Sequence, residues 1–294
     1  MKAAPFEYHR PPDLQETLQL IAQLDDAKLL AGGQSLMPMM NFRYLTPSHL
    51  IDLNRVPQLR GISMDGDDLL IGAMTRQHEL ARSVVLQEHC PLIVEALHFV
   101  GHVQTRNRGT LGGSLCHLDP AAELPGVMLA LDAVLEVASV RGTRSVPISQ
   151  WPTMYMTPDL EADELLTGIR IALHRPHSGL RAAHGFCELA RRHGDFALAG
   201  AAVALHLDGE QVCDVAIAVI GVDESAQRLD AAEDILCGGP LNADTIEQAS
   251  ALAMDLPGMD DVHANALYRR RIARVMVRRA LDLARQRAFA QVSA

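Results

Sequence analysis

The stretch from Thr105 to Pro125, TRNRGTLGGSLCHLDPAAELP, decides how the rest of the chain is read. At its centre stand Thr110, Leu111, Gly112, Gly113 and Ser114. Two adjacent glycines allow a positive φ and let another group approach the backbone. Successive N–H groups in such a turn form an electropositive concavity suited to phosphate oxygens, and Thr110 and Ser114 add hydroxyl donors. Ordinary tight turns share this composition, so the motif alone names no ligand. Ala31, Gly32, Gly33, Gln34 and Ser35 repeat the chemistry near the N-terminus. One such loop suits a monophosphate, and two suit both halves of a pyrophosphate.

Around these loops the pattern predicts three regions. Asp13 caps a helix, with Glu16 three residues on and Leu14, Leu18, Ile21 and Leu24 on its inner face. A strand at 28–30 runs into the first loop, a short Met-rich helix follows, and 49–53 is a second strand. This makes residues 1 to about 56 a small βαβ unit. The strand–loop–helix order lacks both GxGxxG and GK[ST], which excludes a Rossmann fingerprint and a P-loop. Beyond it, strands are expected at 69–73, 134–140 and 165–173, and helices at 75–86, 91–101 and 121–131. From Leu180 onward, strands at 185–190, 197–207 and 212–222 suggest an antiparallel three-stranded meander, followed by helices at 229–236, 244–254 and 263–287.

The chain has 294 residues and a net charge of −10, which argues against nucleic-acid binding as its main task. No apolar run is long enough to span a membrane and no signal core is present, so the expected location is cytoplasmic. Cysteines 90, 116, 187, 213 and 237 form no CxxC pair and read as free thiols, not as a zinc or iron–sulfur site.

Few residues present themselves for bond chemistry. His98 and His102 have metal-ligand spacing on a helix but no adjoining carboxylate, and they read as half-exposed helical residues. His117 and Asp119 follow the central loop as possible ligand contacts. Glu123, one turn into a helix, accepts from sugar hydroxyls or simply complements the helix dipole. Phe196, ending the turn RRHGDF from Arg191, either stacks on a planar ring or packs in the core. In the last helix, Arg269, Arg270, Arg271, Arg274, Arg278 and Arg279 read as a solvated face, with a subunit contact as the alternative. Tyr268, Ile272, Val275, Met276 and Leu283 read as its inner stripe. Neither a Ser-His-Asp order nor GxSxG is found, and no metal ligands or catalytic residues are assigned. A redox cofactor would then supply the chemistry.

The two glycine motifs, with ELLTGIRI from Glu164, GFCELARRHGDFALAG from Gly185 and YRRRIARVMVRRAL from Tyr268, resemble the FAD-binding medium subunit of the molybdenum hydroxylases. This is the xanthine dehydrogenase and carbon monoxide dehydrogenase family, and the likeness runs from Phe6 to about Leu283. It implies an α+β, PCMH-type FAD-binding fold at 1–176, with subdomains of about 1–56 and 57–176. A C-terminal domain at 177–294, with a three-stranded antiparallel sheet and helices, would follow. It also implies noncovalent FAD with its pyrophosphate between the loops. Leu29, Leu30, Ala31, Gly32, Gly33, Gln34, Ser35 and Leu36 would line it from one side. Thr110, Leu111, Gly112, Gly113 and Ser114 would line it from the other, with Gly101, Thr105 and His117 nearby. Glu123 would hold sugar hydroxyls, Leu166 would pack by the adenine or the ring, and Phe196 would lie beside the isoalloxazine.

Cys187 stands where relatives similar to xanthine dehydrogenase have lysine, which argues against NAD reduction. The implied partners are a large molybdopterin-binding subunit and a small [2Fe–2S] subunit, in a heterotrimer or a dimer of heterotrimers. Electrons would pass from their clusters through FAD to an external acceptor. The alternatives are a free-standing flavin oxidase and a non-catalytic scaffold of the same fold.

Overall fold

A computed structural model of the chain describes residues 2–173 and 180–290, and the expected domain boundary at 176/177 lies outside them. The N-terminal unit comprises β1 (Glu7–His9), α1 (Leu14–Gln23), β2 (Ala27–Leu30), α2 (Leu36–Asn41) and β3 (His49–Asp52). Its strands form a parallel sheet in the order β1-β3-β2. Strand β1 was not expected: its three residues, EYH, show no apolar alternation, and pairing with β3 alone holds it at the edge. The Asp13 carboxylate accepts from the Glu16 N–H at 2.9 Å, as the capping pattern predicts. Ile21 is buried in a small core with Ile51, Leu53 and Val56, and Leu14 and Leu18 pack against it.

The second unit runs through β4 (Ile62–Asp65), β5 (Asp68–Gly72), α3 (Gln77–Arg82), α4 (Val84–His89), α5 (Pro91–Leu97), α6 (Val103–Arg108), α7 (Leu111–His117) and α8 (Glu123–Ala130). It continues with β6 (Val134–Ser139), β7 (Gly142–Pro147), β8 (Pro152–Met154), β9 (Thr157–Pro158) and β10 (Leu165–Ala172). Five of these strands make an antiparallel sheet in the order β4-β5-β10-β6-β7. Leu69, Ile71, Ile93, Leu97, Leu111, Leu115, Val127 and Leu135 meet in its core. Burying each such side chain contributes roughly 1.5–3 kcal/mol.

Three local expectations change here. The helix expected over 75–86 breaks at Ser83, which takes an extended conformation and caps α4 by accepting from the Leu86 N–H at 3.3 Å. The helix expected to reach Gly101 stops at Leu97, and Gly101 adopts a φ of +44°. His98 therefore caps the end of α5 while His102 precedes α6, so they never share a helix face. The central glycine stretch is helix, not loop: Gly112 and Gly113 sit in the first turn of α7, and neither has a positive φ.

The C-terminal unit contains β11 (Arg181–Ala190), β12 (Ala197–Asp208), β13 (Gln211–Ile220), β14 (Gln227–Arg228), α9 (Asp230–Leu236), α10 (Ala243–Ala251) and α11 (Ala266–Ala290). Its sheet is antiparallel in the order β11-β12-β13-β14, a four-stranded meander where three strands were expected. The added strand has two residues, Gln227 and Arg228, too few for any sequence period to show. Both faces of the sheet are covered, so β12 is rich in small apolar residues instead of alternating with polar ones. Ala199, Ala201, Val203 and Leu205 share a core with α11, while Ala202 joins Phe186 in the core of the second unit.

Helix α11 buries Ile272, Met276, Val277, Ala280, Leu281 and Ala284. Tyr268, expected inside, is exposed. Arg269, expected in solvent, is buried: it donates to the carbonyls of Leu198 (2.7 Å) and Gly221 (2.8 Å) and to the Asp261 carboxylate (2.6 Å). One turn spans 3.6 residues, so Arg269 lies close to the Ile272 and Met276 stripe. Its three acceptors are the oxygens that make a buried guanidinium tolerable there.

Candidate functional site

The parallel sheet places the first glycine motif at the C-terminal ends of β2 and β3, whose last paired residues are Leu30 and Asp52. Residues 31–35 turn there into α2. Gly33 has a φ of +73°, a conformation that strains any residue with a Cβ. Among the described residues, the N–H groups of Gly32, Gly33, Gln34 and Ser35 donate to no protein acceptor. Four adjacent free donors leading into a helix are a ready anion site.

The second motif lies against the first. A Cβ on Gly32 would overlap the carbonyl of Arg108 and stand 2.9 Å from the Gly109 Cα. One on Gly113 would come within 3.6 Å of the Ala31 side chain. The N–H groups of this motif are already engaged. Leu111 donates to the Thr75 carbonyl (3.1 Å), Gly112 to that of Ala73 (2.8 Å), Gly113 to the Thr110 hydroxyl (3.0 Å) and Ser114 to the Thr110 carbonyl (3.2 Å). The expected second N–H concavity is therefore absent. Its glycines allow close packing instead, since a Cβ on Gly112 would sit 2.7 Å from that of Ala73.

Three polar residues that were not picked out from the sequence tie these segments together. Asn54 donates from Nδ2 to the Ala31 carbonyl at 3.1 Å, and its backbone N–H donates to Asp52 at 2.9 Å. Arg76, 9% exposed, donates to the Arg108 carbonyl and to Asn54 Oδ1. Burial, then the nearby Arg60 and Arg108 charges, lowers the Arg76 pKa from its ordinary value. No motif marks these residues; the only available signal is an Asx turn, Asp52 to Asn54, directly after a strand.

The other expected residues lie around this junction. Thr110 and Leu111 are buried, Ser114 is half-buried, and Thr105 packs beside Gly101. His117 ends α7, and burial lowers its pKa. Glu123 begins α8 with its carboxyl buried; burial, with Asp119 adding, pushes its pKa up to about 7. Leu166 is buried in the core of the second unit. Phe196 is 68% exposed, so it is not a core residue. Its turn packs on α6's approach, where a Cβ on Gly194 would stand 2.6 Å from the His102 ring.

Glu188, on the β11 face that also presents Phe186, has a buried Oε2 with no partner among the described residues. Burial, then Glu123, pushes its pKa up to about 8. All five cysteines are free, and burial pushes the Cys90 and Cys116 thiols up to about 12. Among the described residues, no helix is long and apolar enough to cross a membrane.

Comparison with known proteins covers almost the whole chain. Residues 4–173 match the family described as the FAD binding domain in molybdopterin dehydrogenase, and residues 184–284 match the CO dehydrogenase flavoprotein C-terminal domain. The alpha subunit of the 6-hydroxypseudooxynicotine dehydrogenase complex of Paenarthrobacter nicotinovorans is 40% identical, over 98% of this chain and 97% of that one. The medium chain of carbon monoxide dehydrogenase from Hydrogenophaga pseudoflava is 38% identical, over 95% and 96%. Among solved structures, carbon monoxide dehydrogenase from H. pseudoflava superimposes with a TM-score of 0.94 at 37% identity, covering 98% of this chain and 100% of that chain. Quinoline 2-oxidoreductase from Pseudomonas putida 86 gives 0.92 at 36% identity, covering 98% and 99%.

Proposed function

This chain belongs to the FAD-binding medium subunits of the molybdenum hydroxylases, and from that membership we propose how its own residues hold the flavin. The observation that carries the proposal is the run of four undonated N–H groups, Gly32 to Ser35, facing the Arg108–Gly113 segment across a backbone-to-backbone contact. A diphosphate needs such donors, and the loops from 31 to 36 and from 110 to 116 contain no carboxylate to repel it. The buried cation Arg76 stands behind them, with the Asp52 carboxylate at the same junction. We assign diphosphate binding to the first loop, and its closure to Thr110, Gly113 and Ser114. Glu123 accepts from sugar hydroxyls. Phe196 would offer its exposed ring as a stacking surface for the flavin.

When bound, FAD supplies reversible electron transfer that no side chain here provides. The chain's part is to fix the cofactor, exclude water from one face and present it to partners. Those partners are a molybdopterin-binding large subunit and a [2Fe–2S] small subunit, and the flavin held here would relay electrons from their clusters to an external acceptor. A cytoplasmic location for the assembly is part of the same proposal. Purified alone, the chain should be yellow and bind one FAD. A colourless protein that takes up no FAD would refute this reading, and steady turnover of an organic substrate by the isolated chain would replace the subunit role with that of an oxidase.

A further inference from the structure

A second cluster lies at the other end of the N-terminal sheet. In the parallel pairing of β1 with β3, Glu7 stands opposite His49, and His9, two residues on, shares the Glu7 face. His9 Nε2 and His49 Nδ1 point at each other across 3.1 Å, with rings tilted by 45°. The Glu7 carboxylate closes the triangle, with oxygens 3.7 Å from His9 Nε2 and 3.8 Å from His49 Nδ1.

Two imidazole nitrogens aimed at one point cannot both carry a proton. They share one proton or one cation. Metal–ligand bonds of about 2.0–2.1 Å in a tetrahedron place ligand atoms about 3.3 Å apart, close to this triangle. Both histidine side chains are largely withdrawn from water, at 17% and 23% exposure, while Glu7 is 68% exposed and leaves a fourth position open to solvent. Asp26 adds negative charge beside His49, and Arg10, next to His9 in the chain, is drawn to Asp52 at 3.5 Å. The ligands sit on paired strands, which preorganises them.

We propose that Glu7, His9 and His49 form a binding site for a divalent transition metal of the zinc class, completed by water. The site lies at the N-terminal end of β3, whereas the first glycine loop leaves the opposite, C-terminal end of the neighbouring β2. It clips the short edge strand β1 to β3, so its effect is on the stability of the unit that carries the first loop.

The test uses the full-length chain, loaded with FAD and stripped of metal by a chelator. Titration with zinc chloride should show one equivalent bound and a rise in melting temperature by mass action, with magnesium giving neither. His9→Gln and His49→Gln should each weaken zinc at least about tenfold and abolish the melting shift while retaining FAD. The exposed thiols Cys213 and Cys237 could bind zinc themselves, so Cys213→Ser/Cys237→Ser should keep the site. Cobalt(II) should give a tetrahedral visible spectrum without a thiolate band. Unchanged zinc affinity in both histidine variants, loss in the serine variant, or a thiolate band in the parent would each overturn the assignment.

Discussion

Gly32 and Gly109 meet backbone to backbone: a Cβ on Gly32 would stand 2.9 Å from the Gly109 Cα and overlap the neighbouring Arg108 carbonyl. The first glycine of the N-terminal motif is thus spent on joining two chain segments, and the second on turning the backbone. Gly32→Val should push the segments apart, since a clash with backbone cannot be relieved by a rotamer change. FAD content should fall at least about tenfold, at a folding cost on the order of 1–3 kcal/mol. Gly33→Val and Gly113→Val should also release FAD, the first through strain at φ +73° and the second through the Thr110 hydroxyl, 2.7 Å from the added Cβ. Absorbance of the purified variants, with circular dichroism as a control for folding, checks all three; full flavin content in all of them would remove the loop assignment.

Arg76→Met removes the donor shared by the Arg108 carbonyl and Asn54. Both acceptors are only partly buried, so the loss lies at the low end of the roughly 1–3 kcal/mol that an unpaired buried acceptor costs. Urea denaturation should show a loss in that range, and FAD should dissociate faster because the loops it closes are no longer tied. Equal stability and equal off-rate would show that the link is dispensable.

Phe196→Ala should leave the melting temperature of the FAD-free chain nearly unchanged, because the ring is 68% exposed. Flavin affinity should fall and flavin fluorescence should rise as the stacking partner is lost. A large drop in apo stability would instead mean that Phe196 is structural.

Glu123 and Glu188 have carboxyl pKa values raised by burial, to about 7 and about 8, from the ordinary 4.5. The folded state therefore holds these protons more tightly than the unfolded chain does. The stabilisation is complete below about pH 4.5 and is lost as pH rises through the folded values. The melting temperature of the FAD-free chain should fall between pH 5 and 8 from this source, and Glu188→Gln should flatten the slope. A slope that is the same in the variant would exclude Glu188 as its origin.

Arg269→Met and Arg271→Ala separate buried from solvated arginine on one helix. The first strands the Leu198 and Gly221 carbonyls and Asp261, and should cost about 3–5 kcal/mol. The second lies on the exposed face of α11 and should stay within about 0.5 kcal/mol. Thermal unfolding of the pair decides between the two roles.

The sequence by itself determined what is local. The Asp13 cap, the βαβ order around Ala31–Ser35, the antiparallel meander after Leu180 and the long final helix all follow from spacing over a few residues, because capping and burial periods are short-range. The family likeness in both glycine motifs told which ligand to look for. Only the tertiary structure decided which backbone N–H groups remain free. Those of Gly32 to Ser35 do, and those of Leu111 to Ser114 do not, because Ala73 and Thr75, far away in sequence, accept two of them. Tertiary contact likewise put Arg269 inside, left Phe196 outside and made Arg76 the link between the loops. Each outcome depends on partners dozens of residues away, and no local period encodes such distances.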